Sequence, residues 1–307
     1  YKVTGVQTCS SDLPYLRLRC LGSLLDLLTI VPLTELVHYF NKRNRLDYGG
    51  AADDLFEIVD RRVRLRLGKM VLGSRYQPVL EQVSCRILGH EALLHPLGGN
   101  LQGLPPQAVF LEARDDGELI RLDRAVRTLH ALNFLLEQDQ HDGFLSLNVH
   151  PQLIRAVRDQ HGHVFESVLS RCGLTPERIV LELSDDGLEH PGQLKAAIAA
   201  YRERGYRVAI DNFGRHSCDV DRLAALMPDI VKLDRGFALR GPSGSVGKLS
   251  RQLRERGIKV VGHGIDTAEH LDLMVEAGVD WLQGHLIARP AANCRPVPRP
   301  QRKRAAA

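Results

Sequence analysis

Two different spacings of apolar residues divide the chain. Between residues 14 and 70 they recur at helical intervals: Leu21, Leu24, Leu25 and Leu28, then Leu55, Ile58, Val59 and Val63. Tyr48-Gly49-Gly50 interrupts the two runs. This pattern predicts a short helical extension over 14–70. From about residue 72, short apolar runs alternate with amphipathic stretches. The runs predict strands at Arg75–Leu80, Cys85–Leu93, Phe144–Val149, Arg178–Leu183, Arg207–Asp211, Asp229–Leu233, Lys259–Gly262 and Asp280–Gln283. Helices are predicted at Glu118–Glu137, Pro151–Arg158, Phe165–Cys172, Gly192–Arg204, Val220–Met227, Ser245–Arg256 and Ala268–Ala277. Thr267 is placed to cap the last of these, and Gly205, Gly257 and Gly278 stand where C-terminal cap glycines belong.

Eight strands alternating with helices over about 220 residues predict a (β/α)8-type barrel, with a doubly wound open sheet as the alternative. The first two strands are too close in sequence for a helical crossover, so that pair is predicted antiparallel. Polar residues favour the barrel. Glu91, Asn148, Glu182, Asp211, Lys232, His263 and Gln283 each fall at the C-terminal end of a different strand. Barrel sites are assembled in that way, and packing alone would not place seven polar groups so.

The order of short motifs adds a family resemblance. Tyr76-Gln77-Pro78 precedes Gly89-His90-Glu91-Ala92-Leu93. Then come Leu147-Asn148-Val149, Leu181-Glu182-Leu183-Ser184-Asp185, Ile210-Asp211-Asn212-Phe213-Gly214, Val231-Lys232-Leu233-Asp234-Arg235, Gly262-His263-Gly264-Ile265-Asp266-Thr267, Gln283-Gly284-His285 and Arg289-Pro290. In order and spacing, over residues 72–292, this resembles the EAL domain, the cyclic di-GMP phosphodiesterase family. The resemblance implies a TIM-like (β/α)8 barrel of the EAL type with one antiparallel strand. It also implies Mg²⁺ or Mn²⁺ on oxygen ligands, with Glu91, Asn148, Glu182 and Asp211 as the first metal site. Lys232 would hold the attacking water or the phosphate. Gln77 and Gln283 would contact the nucleotide.

Several positions depart from the family pattern. Asn212 stands at a second carboxylate position, where its amide can still ligate but brings no charge. His263 replaces the glutamate that serves as general base and second-metal ligand, and imidazole is a poor Mg²⁺ ligand. The family's five carboxylates are reduced here to Glu91, Glu182 and Asp211, which favours one bound ion over two. Asp185 and Asp266 are one methylene shorter than the family's glutamates. His95 stands where the family often has a phosphate-binding arginine, and neutral imidazole is the weaker phosphate partner.

Composition changes this picture little. At 44% apolar and 25% charged residues, the chain is neither disordered, collagenous nor a coiled-coil rod. The net charge of +4 comes from Arg295, Arg299, Arg302, Lys303 and Arg304; without those five charges the chain would carry −1. The body therefore lacks the basic field of a nucleic-acid binder, and 293–307 is expected to be a basic disordered tail. Six scattered cysteines without a C-x-x-C pair point to reduced thiols in the cytoplasm. Asp26 and Glu35 interrupt the apolar stretch from Leu24 to Val37, so no membrane span is expected. Residues 1–13 resemble translated sequencing adapter, and an upstream segment is expected to be missing. The sequence is read as a cyclic di-GMP receptor or regulator with impaired catalysis. Two alternatives stay open: an active phosphodiesterase giving linear pGpG, and a nucleotide-free protein-interaction domain. A protein partner and a homodimer are further expectations.

Overall fold

The structure is a computed structural model that describes residues 32–48, 55–137, 143–156, 162–184, 191–215, 219–236 and 244–294. The adapter-like segment, the first predicted helix, Asp185 and the basic residues after 294 lie outside those residues.

Helix α1 (Leu33–Tyr48) leads into a hairpin of β1 (Phe56–Val59) and β2 (Arg62–Leu67). The barrel strands follow: β3 (Met70–Glu81), β4 (Ile87–Leu97), β5 (Phe144–Asn148), β6 (Ile179–Ser184), β7 (Arg207–Phe213), β8 (Ile230–Leu233), β9 (Lys259–Gly262) and β10 (Trp281–Leu282). Helices α2 (Gln107–Phe110), α3 (Asp116–Leu135), α4 (Pro151–Ala156), α5 (His163–Arg171), α6 (Pro191–Glu203), α7 (Val220–Ala224), α8 (Ser245–Glu255) and α9 (Ala268–Glu276) connect them. β4 through β10 pair in parallel, and β3 lies antiparallel between β4 and β10, so the sheet closes on itself. The open-sheet alternative is thereby excluded. The antiparallel first pair is as predicted, and the predicted cap is present, with Thr267 accepting from the His270 N–H at 3.2 Å. Gly205, Gly257 and Gly278 take φ of +89°, +78° and +67°, a region closed to most side chains.

The helical reading of residues 55–63 is corrected by the structure. Phe56–Val59 and Arg62–Leu67 form a two-residue hairpin whose turn, Asp60-Arg61, has φ of 51° and 61°. Arg-Val-Arg-Leu-Arg-Leu then alternates along β2 and buries Val63 and Leu65 completely. Period-two burial against β3 and α3 overrides the helical spacing. Asn41 of α1 fixes the hairpin by donating to the Phe56 carbonyl at 2.7 Å and accepting its N–H at 2.8 Å.

The barrel interior is layered. Val79, Phe144, Val180, Ala209, Ile230 and Val261, one from each of six strands, form a buried apolar floor with Trp281 packed against it. Because side chains on a strand alternate, the residue two positions toward the mouth faces the same lumen. On every barrel strand that residue is polar: Gln77, Glu91, Ser146, Glu182, Asp211, Lys232, His263 and Gln283. A second, larger apolar shell lies between barrel and helices.

Candidate functional site: an acidic barrel mouth around a buried lysine

Lys232 sits at the centre of the polar layer, almost wholly buried. Its Nζ lies 2.7 Å from Glu182 Oε2, 2.8 Å from Glu91 Oε2 and 3.7 Å from Asp211 Oδ1. Asn148 donates to Glu91 Oε1 at 3.0 Å, and Gln283 Nε2 donates to Glu91 Oε2 at 2.7 Å. Gln77 donates to the Ala288 carbonyl at 3.0 Å and accepts a longer contact from Gln283, 3.4 Å. The structure thus brings Gln77, Glu91, Asn148, Glu182, Asp211, Lys232 and Gln283 into one cluster. Ser146 joins them by donating to Glu182. Sequence reading missed Ser146, although it precedes Asn148 by two on the same strand and so shares its face.

Three carboxylates face one ammonium, so the cluster carries a net charge of −2 when all are ionised. Burial would raise the Glu91 carboxyl, but Lys232 and then His263 hold it down at about 2. Burial and the neighbouring Glu91 charge push Glu182 up to about 8 against the pull of Lys232. Lys232 is itself held well above the ordinary lysine range by Glu182, Glu91 and Asp211, which outweigh its burial. A buried acid that resists ionisation beside the ionised Glu91 marks a site short of positive charge. Asp211 Oδ1 is also buried without a hydrogen-bond partner among the described residues. An all-oxygen donor set short of positive charge fits a hard divalent cation. Among the described residues, acidic and imidazole groups do not stand together as a ready-made cage of three ligands, because Lys232 holds the centre.

The other half of the mouth has a different character. Asn212, at φ +57°, a conformation asparagine tolerates, turns its amide back to donate to Asp211 Oδ2 at 2.7 Å. Its Oδ1 accepts from Arg215 at 3.1 Å, and Arg215 also approaches Asp234 at 3.4 Å. His263 is half-buried, with Nδ1 3.9 Å from Asp211; burial and then Lys232 lower its pKa, favouring neutral imidazole. Where two carboxylates are expected from the family pattern, the structure places an amide, an imidazole and a guanidinium. Asp266, despite its shorter side chain, still pairs with Arg235 and accepts the His285 N–H at 3.3 Å. His95 lies apart from the cluster, two steps above Glu91 on the rim of β4.

A mixed eight-stranded barrel with an acidic mouth over an apolar floor defines a TIM-like (β/α)8 protein. Residues 60–290, three quarters of the chain, match the EAL domain, and the chain belongs to that family. It is 28% identical over 228 residues to the EAL-domain protein YkuI of Bacillus subtilis, a match covering 70% of this chain and 54% of YkuI. It is 24% identical over 239 residues to the cyclic di-GMP phosphodiesterase PdeL of Escherichia coli, covering 71% of this chain and 63% of PdeL. The structure of YkuI in complex with cyclic di-GMP and calcium aligns with a TM-score of 0.63 at 25% identity, over 74% of this chain and 56% of that one. The manganese and cyclic di-GMP complex of Klebsiella pneumoniae BlrP1 shares the fold, with a TM-score of 0.62 at 23% identity over 72% of this chain and 56% of BlrP1. The chain thus spans little more than half the length of YkuI and BlrP1. No described helix is long and apolar enough to cross a membrane.

Proposed function

We propose that this barrel binds cyclic di-GMP as a cytoplasmic receptor or regulator whose phosphodiesterase chemistry is impaired. The observation that carries this reading is the bond from Asn212 to Asp211. It places an amide donor, backed by the Arg215 cation, against the carboxylate that a second metal ion would need. Neutral His263 beside the same carboxylate works in the same direction.

The first metal position is better supported. Glu91, Asn148, Glu182 and Asp211 would hold one Mg²⁺ or Mn²⁺. When bound, that ion would supply positive charge to a phosphoryl oxygen and acidify a water. Lys232 keeps the carboxylates converged. Gln283, braced through Glu91 and Gln77, presents a buried Oε1 with no partner among the described residues, an acceptor suited to a base N–H. A protein partner or a second copy of the chain would read the occupied state.

The intact cluster also favours a second reading, slow hydrolysis to linear pGpG. Calorimetric titration of cyclic di-GMP in Mn²⁺, followed by chromatography of the same sample, separates the two. Binding without product supports the receptor. Product overturns it in favour of the enzyme. No binding leaves a domain that acts through protein partners.

A further inference from the structure

The lumen face of β3 and β4 continues above the carboxylate cluster to the rim. β3 runs antiparallel, so its mouthward positions are read toward lower numbers: Gln77, Arg75, Gly73. On β4 they run upward: Glu91, Leu93, His95. The register pairs these in turn, Gln77 with Glu91, Arg75 with Leu93 and Gly73 with His95. Strand β2 continues the row, with Leu65 opposite Leu72 and Arg64 next along the strand.

Gly73 leaves the lumen face open at this point, and the Arg64 guanidinium lies across the gap. A Cβ at Gly73 would collide with Arg64 Nη1. On the other side Arg75 Nη2 lies 3.2 Å from His95 Nε2, with Nη1 3.5 Å from the Pro290 carbonyl. Burial and then the charges of Arg75 and Arg64 lower the pKa of His95. Arg62, Arg66, Arg127, Arg204 and Arg235 all pair with carboxylates. Among the described residues Arg64 and Arg75 pair with none. Two uncompensated guanidinium groups thus flank a neutral imidazole directly above a cluster of negative charge.

A phosphodiester anion approaching the mouth meets the negative charge of the acidic cluster beneath it and needs cationic groups to hold it. Guanidinium is the side chain best shaped for phosphate, and a pair of guanidiniums can share its oxygens. We propose that Arg64 and Arg75 form an anion seat at the barrel rim that receives a phosphate group of the ligand, in place of an arginine at position 95. The seat combines a barrel strand with the added β2 strand, and Gly73 makes the room for it. This rests on the nucleotide-binding reading above.

The test is calorimetric titration of cyclic di-GMP in Mn²⁺ into the full chain and into Arg64→Ala, Arg75→Ala and Arg75→Ala with His95→Arg, each with a thermal melt. Each single alanine variant is expected to weaken binding by about 10- to 100-fold. Melting temperatures should stay near the parent's, and the dependence of affinity on salt should become shallower. The His95→Arg background should recover at least about tenfold, which a purely structural role for Arg75 would not produce. Alanine variants within about twofold of the parent, alongside loss of binding in Gln283→Ala, overturn the seat and leave the receptor reading standing. If the parent binds no cyclic di-GMP, the receptor reading falls, and inorganic pyrophosphate becomes the probe. Binding lost on replacing both arginines then supports the seat; no pyrophosphate binding overturns it. Should Arg64→Ala not fold, the Arg75 variants alone decide.

Discussion

The Asn212 amide donates to the Asp211 carboxylate at 2.7 Å, so a position where a carboxylate would add a charge to the mouth instead supplies an uncharged donor to one. Arg215 holds the amide in that orientation from the other side. Replacing Asn212 by Asp together with His263 by Glu puts two carboxylates back where the family pattern has them. The double variant is expected to turn over cyclic di-GMP at least about 100-fold faster than the parent in Mn²⁺. Product formation measured by chromatography checks this. Unchanged turnover would show that restoring these two carboxylates is not enough for hydrolysis.

Lys232 is the only described cation within reach of Glu91, Glu182 and Asp211 together. Lys232→Met removes the ammonium from the buried Glu91 and Glu182 and from the neighbouring Asp211, which costs about 3–5 kcal/mol. Denaturant melts in EDTA should show that loss. Millimolar Mn²⁺ should restore part of it in the variant and add less to the parent, because the ion takes over the role of the ammonium. Equal stability in EDTA would contradict the assigned electrostatics.

His130 is buried against Ser74, and burial pushes its pKa down to about 3. The unfolded chain protonates histidine near the ordinary value of about 6.5. Between those values the unfolded state binds the extra proton, so this group's contribution is complete above about pH 6.5 and is lost as pH falls toward 3. At full extent the loss is about 5 kcal/mol. His130→Gln should flatten stability against pH across that window; an unchanged profile would show that other groups dominate.

Gly284 follows Gln283 and lies flat against the backbone of Ile265, where an added Cβ would collide with the Ile265 N and carbonyl O. Beside it the Ile265 N–H donates to the Gln283 carbonyl, and the Gln283 N–H donates to the Gly262 carbonyl. Backbone cannot yield as a flexible side chain can. Gly284→Ala is therefore expected to cost about 3 kcal/mol or more and to weaken nucleotide binding by displacing Gln283. A melt and a titration together check it.

Most of the barrel was legible because its strands announce themselves twice, by apolar runs and by a polar residue at each C-terminal end. The predicted ends of β4, β7 and β9 fall within a few residues of the observed ones, and the cap glycines before β7, β9 and β10 marked where helices stop. The hairpin was not legible. Its turn is Asp60-Arg61, both at positive φ, without the Asn-Gly or Asp-Gly pair that normally signals such a turn. Leu55, Ile58, Val59 and Val63 also fit a helix by spacing alone. The carboxylates, Lys232 and the glutamines were legible through their order along the chain. Arg64, Arg75 and Arg215 were not, since they come within reach of the site only through strand register and a local turn.

The antiparallel course of β3 has one more consequence. In a barrel whose first strand runs parallel to the rest, the chain enters at the floor, opposite the ligand. Here β2 hands over to β3 at the rim, and Met70, Val71 and Leu72 pair with the hairpin just before Gly73. Helix α1 is tied to that hairpin through Asn41. A displacement of α1 would therefore reach the rim of the barrel mouth across a few residues of strand, with no need to pass through the packed floor.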